Sequence, residues 1–251
     1  MYFTLLFALT CLVTCHGFVG TDEKNESHCG LLKSVLDYTL LSVKMDKNGF
    51  HREVITTVQL GSIVPSSIRI SLVYQWPKGV FIDPYQVTSQ KEHSNWQILI
   101  DSAIDLEVPA HKTEGFVSYA YPTNGPSLRL RKVIIPIHGR YHEPSAVGKT
   151  FISVDIPAPD LLIRSDECTN LSDMDPHTVV NAPCTADNAS ICSWVKVHFQ
   201  VVLSKELGHM SFQLPVGDSS LVLPVCGGTL LVTLICCVVL SKYMWTHRTV
   251  Q

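Results

Sequence analysis

Val195-Lys-Val-His-Phe-Gln-Val201, "VKVHFQV", alternates apolar and polar residues without a break. Successive side chains on an extended strand point to opposite faces. Val195, Val197, Phe199 and Val201 therefore share one face, and Lys196, His198 and Gln200 take the other. This is the pattern of a strand with one side on a core and one in water. The same period recurs in "REVITTVQL" from Arg52, "IRISLVYQW" from Ile68, "WQILIDSAIDLEV" from Trp96, "FVSYAY" from Phe116, "LRLRKVIIPI" from Leu128 and "TFISVDI" from Thr150. Turn formers separate these runs: Gly61 and Pro65, Pro77 to Gly79, Asn124-Gly-Pro126, then Gly139 and Pro144. Helix signal is weak and confined to "CGLLKSVLDYTLLSVK" from Cys29. The chain is thus expected to be all-β, an antiparallel β-sandwich over residues 18–218. Because one face of each strand looks polar, a single core and a single domain are expected.

The two ends lie outside that domain. Phe3 to Val13, "FTLLFALTCLV", is apolar but too short to span a bilayer, and Thr14-Cys15-His16-Gly17 follows it. Residues 1–17 read as a secretory signal peptide cut near Cys15 or Gly17. Leu221 to Leu240, "LVLPVCGGTLLVTLICCVVL", carries no charge. At 1.5 Å per residue it extends about 30 Å, the thickness of the hydrocarbon core. Residues 241–251, "SKYMWTHRTVQ", hold Lys242 and Arg248 and no acid. The positive-inside rule then places this tail in the cytosol and makes the protein a single-pass type I membrane protein. A cleaved lipid-anchor signal would also use a C-terminal apolar run after small residues such as Gly217-Asp-Ser-Ser220. It would need a polar spacer and an apolar end, and neither is present.

Four cysteines remain once the two in the leader and the three in the apolar run are set aside: Cys29, Cys168, Cys184 and Cys192. They allow three pairings. Cys184 and Cys192 enclose the short loop "TADNASI", and a bridge there would stabilise by about 2.5 kcal/mol on the loop-entropy estimate. That is the preferred pair, leaving Cys29 with Cys168. Sequons stand at Asn25, Asn170 and Asn188, all on the expected lumenal side.

Two constellations invite a catalytic reading. In "IPIHGRYHEP", from Ile135, His138 and His142 are four apart. On a helix they would share a metal, but Pro136, Gly139 and Pro144 favour a strand running into a turn, with His138, Arg140 and His142 on one face and Tyr141 on the other. Asp173-Met-Asp175 has the spacing of a divalent-metal site in a nucleotide-sugar transferase, yet no doubly wound nucleotide-binding pattern precedes it. No Gly-x-Ser-x-Gly elbow presents a nucleophile, and Pro77-Lys-Gly79 and Gly148-Lys-Thr150 lack the first glycine of a phosphate loop. A net charge of −3 does not suggest a nucleic-acid surface. Cys236 and Cys237, near the cytosolic end of the span, are read as small residues for packing a partner helix with Gly227 and Gly228, and palmitoylation is the other reading.

"GFHRE" from Gly49, "GVFIDPYQV" from Gly79, "IPIHGRYHEPS" from Ile135, "PDLLI" from Pro159, "NAPCTADNASICSW" from Asn181 and "LPVGD" from Leu214 stand in an order that resembles the phosphatidylinositol-glycan biosynthesis class X family. The resemblance runs from about Cys29 through the span. It implies a noncatalytic stabilising subunit, without a cofactor of its own, of the endoplasmic-reticulum mannosyltransferase that adds the first mannose to the glycosylphosphatidylinositol (GPI) precursor. The mannose donor would be dolichol-phosphate mannose, and a multispanning, PIG-M-like partner would carry the chemistry. His138, Arg140, Tyr141 and His142 would then form a hydrogen-bonded corner or a partner-facing surface, with His138 and Arg140 pairing with acids across an interface and Tyr141 burying its ring. Two other classes fit the same topology. A cell-surface adhesion or receptor ectodomain would carry complex glycans, and a small hydrolase or metal enzyme would bring a distant acid to His138 and His142.

Overall fold

A computed structural model describes residues 20–61, 64–90, 94–123, 129–172, 174–187, 190–198 and 210–248. The expected signal peptide, 1–17, lies outside them. Four strands make one sheet in the order β1 (Leu40–Asp46), β2 (His51–Gln59), β7 (Leu130–Gly139), β4 (Val80–Phe81). Six make a second: β10 (Thr178–Pro183), β11 (Ile191–Lys196), β9 (Asp160–Ser165), β3 (Ile68–Trp76), β6 (Phe116–Pro122), β5 (Trp96–Ile100). β12 (Met210–Pro215) and β8 (Phe151–Ile156) form a separate pair. All strand pairings within these sheets are antiparallel.

β3 shows why the sheets stack. Its alternate residues Ile68, Ile70, Leu72, Tyr74 and Trp76 are all buried. Fully buried Tyr74 gives its hydroxyl proton to Thr56 Oγ1 on β2 at 2.7 Å, bridging the two larger sheets across the core. Burial pushes the Tyr74 phenol well above its usual range, so it stays a donor. Val54, Val58, Val133, Ile135 and Ile137 line the opposite wall, and Val154, Ile156, Phe212 and Leu214 of the β8–β12 pair join the same cluster. A helix, α1 (Gly20–Asp37), adds Leu32, Val35 and Leu36 and is tied down by the Cys29–Cys168 disulfide.

The weakly helical stretch from Cys29 divides. Thr39 donates its N–H to the Leu36 carbonyl and its hydroxyl to the Val35 carbonyl, closing α1, and the alternating residues that follow become β1. "WQILIDSAIDLEV" is strand only to Ile100. The Asp105 carboxylate accepts the Glu107 N–H at 2.9 Å, a local turn that competes with extension. The expected run "VKVHFQV" keeps its alternation over its described part, with Val195 and Val197 buried and His198 exposed, but the strand itself ends at Lys196.

The expectation of one core is corrected by the six-stranded sheet, which buries residues on both faces. Ser71 and Leu162 are buried on the side away from Tyr74, where Leu162, Tyr121, Ala182 and Trp194 form a second, smaller cluster. The Cys184–Cys192 loop supplies Ala186 against it, and the Trp194 indole donates to the Ala182 carbonyl at 3.3 Å. An aromatic residue of this size contributes roughly 4–6 kcal/mol when fully buried, taking 150–250 Å² at about 25 cal/mol/Å².

The last element, α3 (Val222–Arg248), is an apolar helix with exposed side chains from Val222 to His247. Its 27 residues extend about 40 Å, long enough to cross a membrane.

Candidate functional site

β7 carries the histidine motif to the end of the first sheet, where β4 pairs with it and places Phe81 opposite His138. A short helix, α2 (Pro84–Gln90), follows, started by the Asp83 carboxylate accepting the N–H groups of Tyr85 and Gln86 at 2.8 and 3.3 Å. An acidic cap followed by proline in the first turn is a strong helix start. It delivers Gln86, whose Oε1 lies 2.8 Å from His138 Nε2. The His138 ring also stacks on Phe81 and meets the edge of His51. Burial lowers its pKa, the neighbouring His51 pushes the same way, and Asp83 partly offsets both.

Arg140 is buried, at 4% exposure. Its Nη1 donates to the Val108 carbonyl at 2.5 Å, its guanidinium lies 4.9 Å from the Phe81 ring centre, and its backbone N–H bonds to the Gly79 carbonyl at 2.8 Å. Tyr141 is 75% exposed, its ring leaning on Phe50 at 5.1 Å and its carbonyl accepting from Ala110. The assignment of Arg140 to an intermolecular ion pair is thereby corrected, while the Tyr141 ring is left open on the surface of the chain. The backbone leaves the strand at Gly139, so the guanidinium turns into the loop that contains Val108. Gly139 is glycine because a Cβ there would come within 2.7 Å of buried Leu214. His142 is pushed below its usual pKa by burial, partly offset by the Arg140 backbone, with Lys78 and His111 acting downward.

His138 engages a neutral amide and Arg140 a backbone carbonyl. Neither is in the arrangement of a base oriented by a carboxylate. Among the described residues, no three His, Cys, Asp or Glu side chains gather as metal ligands. The Asp173-Met-Asp175 pair is only half placed: Asp173 lies outside the described residues, and Asp175 is exposed before a cis bond to Pro176. Of the sequons, Asn170 is exposed beside the Cys29–Cys168 bridge, with its Oδ1 accepting the Ser172 N–H. Asn188 and the side chain of Asn25 lie outside the described residues. Phe81, Gln86 and Val108, which complete the corner, were not singled out by sequence. Phe81 and Gln86 lie within the quoted stretch "GVFIDPYQV", and the Asp83-Pro84 cap in front of Gln86 is the sequence feature that could have placed it.

Residues 47–245, from the β1–β2 turn into α3, match the family model described as PIG-X / PBN1. The chain belongs to the PIG-X / PBN1 family. A rat relative is 28% identical over 238 residues, covering 92% of this chain and 92% of the relative. A human relative is 27% identical, covering 82% of this chain and 79% of its own length, and a mouse relative 27%, covering 80% of each. All three are named GPI alpha-1,4-mannosyltransferase I, stabilizing subunit. The matched span of this PIG-X / PBN1 chain takes in the strands from β2 onward, the histidine corner and most of the apolar helix.

Proposed function

We propose that the protein is the noncatalytic stabilising subunit of GPI mannosyltransferase I, the enzyme that adds the first mannose to the GPI precursor. The observation that carries this reading is near full-length similarity to three relatives that bear that subunit's name. The histidine corner supports it, since His138 Nε2 and Arg140 Nη1 are turned to a neutral amide and a backbone carbonyl of the chain itself. On this reading the sandwich is lumenal in the endoplasmic reticulum, α3 is its single type I span, residues 1–17 are a cleaved leader, and the partner is a multispanning, PIG-M-like catalytic subunit.

The test is deletion of this chain followed by measurement of the catalytic subunit's protein and mRNA. A stabiliser predicts less protein at unchanged mRNA, together with loss of GPI-anchored proteins from the surface. Unchanged protein with arrested mannosylation would overturn the stabilising role. Location is read from the glycans. Chains on Asn25, Asn170 and Asn188 should be of the high-mannose type and removed by an endoglycosidase specific for it, and resistant complex chains on most molecules would overturn residence in the endoplasmic reticulum.

A further inference from the structure

The chain enters α3 through a joint held by hydrogen bonds. Ser145 N–H donates to the Gly217 carbonyl at 2.7 Å, Ser219 N–H donates to the Ser145 carbonyl at 3.1 Å, and Val216 N–H donates to the Thr150 carbonyl at 2.9 Å. Ser145 and Asp218 are bridge partners. A 3-10 turn, Ser219–Leu221, then leads directly into α3. At about 2 Å per residue, Asp218 stands about 6 Å from Leu221, where the uncharged run begins.

The loop fixed to this joint presents apolar side chains to the outside. Ser145 Oγ accepts the N–H groups of Val147 and Lys149 at 3.3 and 2.9 Å, and Gly148 takes a positive φ of 72°, so Val147 sits at the tip of a tight turn. Val147 is 78% exposed, Phe151 53% and Ile152 39%. Ile152 shares the parity of Val154 and Ile156, which are buried, yet it has lost its cover. The inward face of β8 therefore outruns the protein's own core at the end where the chain reaches α3. Val147 is two residues from Ser145, about 7 Å at most. Phe151 lies opposite Pro215, three residues before Asp218. The headgroup zone on each side of a bilayer is about 5–8 Å deep. A joint pinned this close to the hydrocarbon edge places these side chains within reach of that zone.

We propose that Val147, Phe151 and Ile152, the last two on opposite faces of β8 at the end pinned beside the start of α3, form an apolar foot that sits in the headgroup region of the bilayer crossed by α3. The sandwich is then seated on the membrane surface, at a fixed height. Polypeptide is the competing occupant, because β8 pairs on one side only among the described strands. The hydrogen-bonded joint that pins this loop beside the start of the membrane-crossing helix favours lipid.

The inference rests on α3 being a span, and the test separates the two. Benzoylphenylalanine is placed singly at Val147, Phe151, Ile152 and, within α3, Leu230 of the full-length chain, irradiated in the membranes of the expressing cells, and the adducts are weighed. The expected result is a mass shift of one phospholipid at all four positions. With the probe at Ile152, Val147→Asp together with Phe151→Asp should abolish that shift. Lipid at Leu230 with polypeptide adducts or none at Val147 and Phe151 overturns the foot and leaves the span intact, as does a shift at Ile152 that survives both aspartates. The absence at Leu230 of both lipid and an adduct to a membrane-embedded polypeptide overturns the span, and the foot with it.

Discussion

The guanidinium of Arg140 is enclosed by the Val108 carbonyl and the Phe81 ring, whereas the next side chain, Tyr141, stands largely in water. Arg140→Ala would leave a carbonyl unpaired and a void beside Phe81, a loss of about 2–4 kcal/mol. Tyr141→Ala gives up one exposed ring contact and should change stability by less than about 1 kcal/mol. Urea unfolding of the detergent-solubilised chain measures both, and equal costs would contradict this placement. Sequence pointed to the right residues but turned Arg140 outward, because the Val108 carbonyl and the Phe81 ring that enclose it come from segments 32 and 59 positions away. His177 makes a second residue-scale case. Its Nδ1 accepts the His198 N–H at 3.1 Å, so adding a proton there forfeits a hydrogen bond. Burial lowers its pKa, Asp37 partly offsets this, and His198 and Lys33 act downward. A histidine with a depressed folded pKa favours the native state fully above its unfolded value, near 6.5. That contribution is lost as pH falls from there toward the folded pKa. The thermal midpoint should therefore drop between pH 7.5 and 5, and His177→Gln should flatten the drop. His138 and His142 are shifted in the same direction and add to it.

Among the described side chains of α1, the Cys29–Cys168 bond and buried Leu32, Val35 and Leu36 hold the helix to the sandwich. Cys29 and Cys168 are 139 residues apart, and closing a loop of that size is worth about 5 kcal/mol on the chain-entropy estimate, against about 2.5 kcal/mol for the short Cys184–Cys192 loop. Cys29→Ser with Cys168→Ser should raise amide hydrogen exchange across α1 first and lower stability more than Cys184→Ser with Cys192→Ser. The second pair should loosen the cover of Trp194, seen as a red shift in tryptophan emission. If the short-loop pair proves the costlier, the entropy argument fails here and packing over Trp194 dominates. Both bridges follow the preferred pairing read from cysteine spacing. The long strands were legible because β2, β3 and β7, at 9, 9 and 10 residues, are long enough to show one inward row, such as Ile68, Ile70, Leu72, Tyr74 and Trp76, even where the other face is also buried. β4, with two residues, carries too little pattern to read, and β10 is an edge with exposed Thr178, Val179 and Asn181. β9 buries Leu161, Leu162 and Ile163 in succession, so it shows no alternation at all. That same run created the second cluster that sequence did not foresee.

At the scale of the whole molecule, the protein offers a partner two surfaces of different kind, a sandwich and a helix. Among the described residues, nothing lies within 4 Å of where a Cβ on Gly227 or Gly228 would stand, apart from the helix itself and its adjoining residues. Thr229 and Thr233 satisfy their hydroxyls on the carbonyls of Val225 and Thr229 within the helix. A neighbouring helix can therefore approach closely there without leaving a hydrogen bond unmade. If the stabilising role is exercised through this contact, the catalytic subunit without it exposes helix faces to quality control, and a loss of 1 to 2 kcal/mol changes abundance several-fold. Replacing Leu221–Leu240 by an unrelated apolar helix of equal length, with the sandwich intact, should then lower the catalytic subunit several-fold, as deletion of the whole chain does. Gly227→Leu with Gly228→Leu should reproduce most of that fall, because two isobutyl groups hold the helices apart while hydropathy rises. Immunoblotting of the catalytic subunit, with this chain's own level as the control, reads both. Full abundance with the foreign span would move the stabilising contact to the sandwich, and the exposed Tyr141, Tyr85 and Leu130 would be the next surface to alter.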